Sequence, residues 1–178
     1  MKVLVTGGVR SGKSRHAEEL LAGEPAVTYV APGPTPEEDP DPDWAARVAA
    51  HRECRPAHWT TLESRDLGAA LGASSEGGAV LVDCLGTWLT AVLDEADAWD
   101  RPSADVHALV AARLTVAVAA LSAAPGTVVL VTNEVGLGVV PAHRSGRLFR
   151  DLLGTVNQTL AAACDEVHLV VAGRVLVL

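Results

Sequence analysis

The first fourteen residues constrain this chain more than any other stretch. A short apolar run leads into the segment GGVRSGKS, and a helix-like segment follows it. This is the G-x-x-x-x-G-K-S pattern between a strand and a helix that a phosphate-binding loop requires. Its glycines let backbone N–H groups converge on phosphate, the lysine would neutralise the β- and γ-phosphates, and the last serine would bind Mg²⁺. The predicted phosphate-binding residues are Gly7, Gly8, Val9, Arg10, Ser11, Gly12, Lys13 and Ser14.

A glycine-rich turn can also join a strand to a helix without binding a ligand. The usage of cations argues against this alternative. Of the fourteen Lys and Arg residues, only Lys2 and Lys13 are lysine. A chain in which nearly all cations are arginine has lysine at the position where a compact ammonium suits a phosphate. The motif therefore predicts a nucleotide site, but it does not identify a reaction.

The composition is typical of one cytoplasmic domain. With 178 residues, of which 49% are hydrophobic, the chain can bury a substantial core, and we expect a single domain over residues 1–178. The formal net charge of −8 argues against nucleic acid and anionic membrane surfaces as partners. Cys54, Cys84 and Cys164 are widely spaced and odd in number, which favours a reducing cytoplasm. We recognise no signal peptide, and we expect no membrane-spanning segment because charged residues interrupt the apolar stretches.

Almost wholly apolar strands alternate with helical segments along the chain. This alternation predicts an α/β fold, with a P-loop NTPase-like, mostly parallel sheet and helices on both faces. The proline-rich, acidic segment 32–42 should be a solvated loop. After the first strand, strands are expected at 26–31, 58–62, 79–82, 127–131, 167–171 and 175–178. Helices are expected from Arg15, from Asp43 towards Pro56, over 66–71, around 88–93, from a cap at Ser103, and over 144–164.

Polar residues follow two of the predicted strands, at the edge where parallel α/β sheets bind ligands. We interpret Asp83 as a second Mg²⁺ ligand beside Ser14, acting directly or through water, although it could instead cap the next helix. Glu134 could hold metal, orient a substrate hydroxyl or act as a base. Alternatively, Asn133 and Glu134 could simply cap a turn. The phosphate loop and these three residues should lie along one edge of the sheet.

His51 separates the possible reactions. In its predicted helix, Arg47, His51 and Arg55 recur every four residues and share a face, while Trp44 and Val48 share another. A lone helical histidine is usually a surface residue. Two flanking guanidiniums would hold a triphosphate and keep the imidazole neutral, so that its nitrogen could attack phosphorus. The other five histidines show no metal-ligand arrangement and are interpreted as structural, with His16 packing on the first helix.

Together these segments resemble one enzyme family, the bifunctional adenosylcobinamide kinase/adenosylcobinamide-phosphate guanylyltransferases of cobalamin biosynthesis. The resemblance spans nearly the whole chain in order. Any nucleotide enzyme could share the phosphate loop, whereas the stretches around His51 and Asn133 are far more particular. The matching segments are 5–18, Arg47 through His51 to Pro56, 59–63, 81–85, 132–141, 149–151, Gly154 with 157–158, 165–167 and 169–173.

The resemblance implies two reactions. ATP or GTP phosphorylates the aminopropanol hydroxyl of adenosylcobinamide, and GTP then transfers GMP to that phosphate, giving adenosylcobinamide-GDP and pyrophosphate. His51 takes the place of the family histidine that carries GMP as a phosphoramidate, and we assign catalysis to His51 and Lys13. Family members assemble as homo-oligomers, which implies a trimer. The implied guanine-nucleotide positions are Pro32, Gly33, Pro34, Arg52, Glu53, Cys54, Arg55, Glu63 and Asp83, and we assign Arg47, Asn133 and Glu134 to the corrinoid substrate.

Two alternatives remain open from the sequence. The chain could be a kinase alone, in which the His51 segment only recognises nucleotide. It could also be a nucleotide-dependent switch without group transfer, although the sequence has no N-K-x-D guanine-specificity stretch. The chain departs from the family in its proline-rich loop and at Gly86 and Ala91, where relatives often have polar residues.

Overall fold

The computed structural model describes residues 1–53, 55–72 and 78–178, and it gives the side chains in these ranges except those of Arg47, His51 and Glu53. Strands and helices alternate as the sequence predicts. The strands are β1 (Lys2–Gly7), β2 (Val27–Ala31), β3 (Thr60–Glu63), β4 (Ala79–Asp83), β5 (Val128–Asn133), β6 (Glu166–Val171) and β7 (Arg174–Val177). The helices are α1 (Lys13–Leu20), α2 (Pro42–Glu53), α3 (Leu67–Gly72), α4 (Leu85–Glu95), α5 (Ser103–Ala123) and α6 (Arg144–Ala161).

The strands form one sheet in the order β3-β2-β4-β5-β1-β6-β7. All neighbouring pairs are parallel except β6 and β7, which are antiparallel. The first strand therefore lies inside the sheet, between β5 and β6. The predicted mostly parallel α/β fold is confirmed, and the parallel strands place their carboxyl ends along one edge.

Alternate strand residues enter two separate cores, which explains why the strands are almost wholly apolar. Val3 and Val5 pack on the face that α1 covers, together with Ala17, Leu21 and Tyr29. Leu4, Val80, Val82 and Leu130 pack on the opposite face, against α3, α4, α5 and α6. The sheet is thus the middle layer of three, and its polar carboxyl edge remains accessible.

Several helix ends differ from the expectations. Helix α2 begins at Pro42 and not at Asp43, because Asp41 caps it by accepting the Asp43 N–H at 2.9 Å, and proline suits a first helical position. It ends at Glu53, so Arg55 lies outside the helix, next to Pro56, which disfavours helical backbone before it.

Two later helices also have boundaries other than those expected. Ser103 is the first residue of α5, and Pro102 occupies the N-cap position without a side-chain hydrogen bond. Helix α6 ends at Ala161, with Ala162 as its C-cap, and does not reach Cys164.

Helix α5 is long enough to span a membrane, contrary to the expectation for apolar stretches, although Asp105 and Arg113 interrupt it as expected. By length and composition alone it is apolar enough to cross a membrane, with a mean hydropathy of 1.8. However, Val106, Val110, Leu114 and Leu121 recur at helical spacing and pack into the core, as their sequence pattern predicts. A single helix of this kind is weak evidence for a membrane span, because core helices pass the same test of length and composition.

Candidate active site

The phosphate loop begins where β1 ends and turns sharply into α1. Gly12 occupies the N-cap position of α1 with φ 97°, and Arg10 has φ 57°. Gly12 therefore has a conformation that favours glycine, and a side chain at Gly7 would place its Cβ 2.4 Å from the Val170 carbonyl oxygen. The Lys13 ammonium donates to the Gly8 carbonyl at 3.3 Å. These constraints explain why the motif needs glycine at both ends.

The turn between β6 and β7 supports this loop from outside. Ala172 and Gly173 both have positive φ, as a two-residue hairpin turn requires. The Gly173 N–H donates to the Ser11 carbonyl at 2.8 Å, and an ideal Cβ on Gly12 would lie 3.4 Å from Gly173 Cα. The two turns are thus in van der Waals contact.

Behind the loop, His16 of α1 forms a hydrogen bond with a residue of β6. Its Nε2 lies 2.9 Å from His168 Nδ1, and His168 Nε2 lies 2.8 Å from a Glu166 carboxylate oxygen. A carboxylate only accepts, so His168 donates through Nε2 and His16 Nε2–H donates to His168 Nδ1. His168 is buried. The chain of bonds ties the phosphate-loop helix to β6.

A cavity of about 330 Å³ opens at the carboxyl edge of the sheet. It unites Lys13, Ser14, Asp83 and Asn133, which the sequence analysis placed along one edge. Of the predicted nucleotide-binding residues, Val9, Gly33, Pro34, Arg52, Arg55 and Glu63 also line it.

Asp83 does not cap the helix that follows it. Cys84 occupies the N-cap position of α4, and its backbone N–H donates to the Thr87 hydroxyl at 3.3 Å. Within the described part of the chain, Asp83 Oδ2 is buried without a hydrogen-bond partner. A buried carboxylate oxygen without a partner is costly unless a cation satisfies it. Asp83 and the Ser14 hydroxyl, both in the cavity wall, are oxygen ligands of the kind that Mg²⁺ prefers.

Arg55 is held by two neighbouring strands. Its guanidinium stacks on the Tyr29 ring in β2, and one of its N–H groups donates to the Thr61 hydroxyl in β3 at 3.0 Å. Burial, followed by the nearby Asp83 charge, raises the pKa of Tyr29. Burial and Asp83 likewise raise the pKa of Glu18, which lies on α1. The carboxylates and Arg55 thus share a poorly hydrated region beside the cavity.

Trp44 forms an aromatic wall of the cavity, against the segment that follows β2. Its indole N–H donates to the Pro34 carbonyl at 2.9 Å, and the ring packs so closely on Gly33 that a Cβ there would lie 3.0 Å from it. Val48 and Arg52 continue this wall along α2. An Arg52 N–H donates to the Glu63 carboxylate at 2.5 Å. Aromatic, carboxylate and guanidinium groups are suited to a purine base.

The remaining predicted positions are distributed as follows. Pro32 is buried, and Gly33, Pro34 and Thr35 line the cavity, so the start of the segment 32–42 is part of the site and not a solvated loop. The Glu134 carboxylate accepts the Gly136 N–H, as the turn-capping alternative requires. Cys54 and the side chains of Arg47, His51 and Glu53 lie outside the described residues.

Sequence reasoning did not assign Tyr29, Trp44, Thr90 and Phe149 to the site, although all four line the cavity. Phe149 falls in a segment that resembles the family, and the other three had no signal beyond their position. Tyr29 lies near the end of a strand, and Trp44 lies one turn before Val48 on the α2 face that carried no motif. In the described chain, Cys84 and Cys164 are free thiols, and burial raises the pKa of both.

Comparisons with known proteins identify the family of the chain. The model of the family CobU, described as cobinamide kinase / cobinamide phosphate guanyltransferase, matches residues 3–178. The "bifunctional adenosylcobalamin biosynthesis protein CobU" of Salmonella typhimurium is 44% identical over 97% of both chains. Its Escherichia coli counterpart is 42% identical over the same shares. The "bifunctional adenosylcobalamin biosynthesis protein CobP" of Pseudomonas aeruginosa is 41% identical over 97% of this chain and 94% of its own.

Proposed function

Because the chain belongs to the cobinamide kinase / cobinamide phosphate guanyltransferase family, we propose that it catalyses both reactions of that family. It phosphorylates adenosylcobinamide with ATP or GTP, and it then transfers GMP from GTP to the phosphate, giving adenosylcobinamide-GDP and pyrophosphate. The observation that carries this proposal is one cavity lined by Lys13, Ser14, Asp83, Arg55 and Glu63. This cavity combines groups that can bind phosphate, a metal ion and the base of a nucleotide.

In the kinase step, the phosphate loop holds the β- and γ-phosphates of the donor. Backbone N–H groups of residues 7–12 and the Lys13 ammonium balance the charge that spreads over the transferred phosphoryl group. Ser14 and Asp83 would hold Mg²⁺, which supplies further neutralisation of phosphate oxygens when bound. Asn133 faces the cavity and can donate an amide N–H to the acceptor side chain of the corrinoid.

In the guanylyl transfer step, His51 is the nucleophile. Its imidazole nitrogen forms a P–N bond to the α-phosphorus of GTP while the P–O bond to pyrophosphate breaks. A phosphate oxygen of adenosylcobinamide phosphate then attacks the same phosphorus and the P–N bond breaks, which restores a neutral imidazole. Support for this role comes from helical spacing: His51 lies three residues after Val48, which lines the cavity, and residues at this spacing are neighbours on a helix surface. Arg55 would spread the charge of each transition state, whereas Arg52 is paired with Glu63.

The β3 end of the cavity is suited to guanine. A Glu63 carboxylate can accept from both N1–H and the 2-amino group of guanine, whereas adenine has no donor at either position. The Trp44 ring, fixed by Pro34 and Gly33, would stack on the base. This assignment explains how a second reaction becomes specific for GTP.

The other assignments made from the sequence belong to the same proposal. They comprise nucleotide contacts from Pro32, Glu53 and Cys54, corrinoid contacts from Arg47 and Glu134, a homotrimeric assembly, and a cytoplasmic location. One domain over residues 1–178 would carry both activities.

Covalent labelling tests the proposal. The protein is incubated with Mg²⁺ and GTP labelled at the α-phosphate, denatured, and examined for retained label. We expect acid-labile, base-stable label in the wild type and in His58→Ala, a matched variant at an exposed histidine, but none in His51→Ala. If the wild type retains no label but phosphorylates adenosylcobinamide, the chain has kinase activity only. Nucleotide binding without either reaction would indicate a switch.

A further inference from the structure

We propose that the loop residues Leu137, Val139 and Val140, here called the apolar loop, form the docking platform for the corrin macrocycle of adenosylcobinamide; this inference rests on the proposed function. Their side chains are 89%, 94% and 68% exposed, respectively. Single exposed apolar residues are ordinary on protein surfaces, but three within four residues form a patch that requires an occupant. The position and the rigidity of this patch indicate which occupant it has.

The apolar loop keeps its shape without burying its own side chains. The Arg150 guanidinium donates to the carbonyls of Gly136 and Gly138, the latter at 2.9 Å. The Arg147 guanidinium donates to the carbonyls of Pro141 and Ala142. Polar contacts thus hold the backbone from the side of α6. The apolar side chains are therefore presented outwards before any ligand binds, which lowers the entropic cost of binding.

The apolar loop comes after a strand end that forms part of the cavity wall. Glu134, Val135 and Gly136 connect it to Asn133, which lines the cavity, and the Glu134 N–H donates to the Gly7 carbonyl at 3.1 Å. Phe149, next to Arg150 in α6, also lines the cavity. In the sheet, β3 and its Glu63 lie on one side of β4, whereas β5 and the loop that follows it lie on the other. Glu63 and the apolar loop thus lie on opposite sides of β4, the strand that carries Asp83.

The size of the cavity determines which part of the acceptor can enter it. A volume of about 330 Å³ is at the lower end of ligand pockets and suits parts of a nucleotide. A corrin macrocycle is larger than the whole nucleotide, so it must remain outside while its aminopropanol arm reaches the phosphates. Its methyl-bearing faces need an apolar surface at the rim, and its amide groups can bond to polar groups beside that surface. The apolar loop offers such a surface next to the acceptor end.

Steady-state kinetics test this assignment. We would compare Leu137→Ser/Val139→Ser/Val140→Ser with wild type, with Val139→Leu, which keeps an apolar side chain, and with Val116→Ser. Val116 is 57% exposed on α5 and serves as a matched control outside the cavity wall. The triple variant should raise KM for adenosylcobinamide about tenfold or more, since it removes the apolar surface on which the ring is buried. KM for GTP, covalent GMP labelling and the molar mass by light scattering should not change.

The contrary results are distinct from one another. An unchanged KM for adenosylcobinamide in the triple variant overturns the platform. A lower molar mass would also overturn it, because the apolar loop would then be a contact between copies of the chain. Retained GMP labelling shows that each variant is folded and active towards GTP. Failure of the wild type to phosphorylate adenosylcobinamide would instead refute the proposed function itself.

Discussion

The guanidinium carbon of Arg55 lies 3.4 Å from the centre of the Tyr29 ring. Tyr29 is only 2% exposed, so the ring itself cannot move without disturbing the core around it. Arg55 is therefore placed over the sheet edge before a nucleotide arrives, and little side-chain freedom remains to be lost on binding. This arrangement connects a core residue of β2 to a predicted phosphate-binding residue outside α2.

Tyr29→Leu should weaken nucleotide binding, whereas Tyr29→Phe should bind almost as the wild type does. Leucine removes the ring face under the guanidinium, an interaction of about 0.5–2 kcal/mol, which corresponds to about a two- to thirtyfold increase in Kd. Phenylalanine retains this face. Calorimetric titration with GDP measures the change. A folded Leu variant with the wild-type Kd would show that the stacking does not position Arg55.

Trp44→Ala should raise KM for GTP with little effect on kcat. Stacking of a base on an aromatic ring contributes about 1–3 kcal/mol, so we expect about a five- to 150-fold increase. The matched control is Trp99→Phe, since the Trp99 indole donates to Asp94, away from the cavity. GDP should also quench tryptophan fluorescence in the wild type and in Trp99→Phe, but not in Trp44→Ala. Equal quenching in Trp44→Ala would locate the base elsewhere.

Asp83→Asn should reduce both activities about a hundredfold or more, because it removes a charge that compensates the metal at the transferring phosphate. Chelation of Mg²⁺ should have the same effect on the wild type. Cys84→Ser is the matched control, since serine can keep the capping position of α4. Without Mg²⁺, nucleotide should still bind to Asp83→Asn. The wild-type carboxylate has a buried oxygen without a partner, and its negative charge would repel the phosphates, whereas asparagine is neutral. Full activity of this variant would exclude a metal role for Asp83.

Acid should destabilise the protein through His16. Burial, followed by the charge of His168, lowers the pKa of His16 below its usual 6.5. The unfolded state therefore binds the proton more readily, so stability falls as the pH drops below 6.5 and levels off below the folded pKa. Urea unfolding from about pH 7.5 to about pH 5 should show a smaller loss in His16→Asn than in the wild type. Parallel curves for the two proteins would contradict this account.

The phosphate loop and the parallel sheet were predictable because their determinants are local. Glycine spacing, one retained lysine and apolar strands define the fold, and strand ends such as Asp83 and Asn133 then meet at one edge. The capping alternative for Asp83 could be decided only in three dimensions, where Cys84 and Thr87 provide the cap. The role of His51 stays a prediction, since its side chain lies outside the described residues.

The aromatic parts of the site were not predictable from the pattern. In the sequence, Tyr29 appears as an ordinary strand residue and Trp44 as an ordinary helix residue. Only tertiary packing places the Tyr29 ring under Arg55 and the Trp44 ring against Gly33. The bond between His16 and His168 likewise joins residues 152 positions apart, and no local signal indicates it.

The central place of β1 in the sheet has a consequence for synthesis. During synthesis the phosphate loop precedes both hydrogen-bonding neighbours of β1, since β5 and β6 emerge more than a hundred residues later. Until then the nascent strand has two unpaired edges, which is the state most prone to wrong pairing. The hydrogen bond from the Gly173 N–H to the Ser11 carbonyl also cannot form until Gly173 has been synthesised. A growing chain should therefore acquire its nucleotide site as one of the last events of folding, and a shortened chain without the β6–β7 turn should lack it.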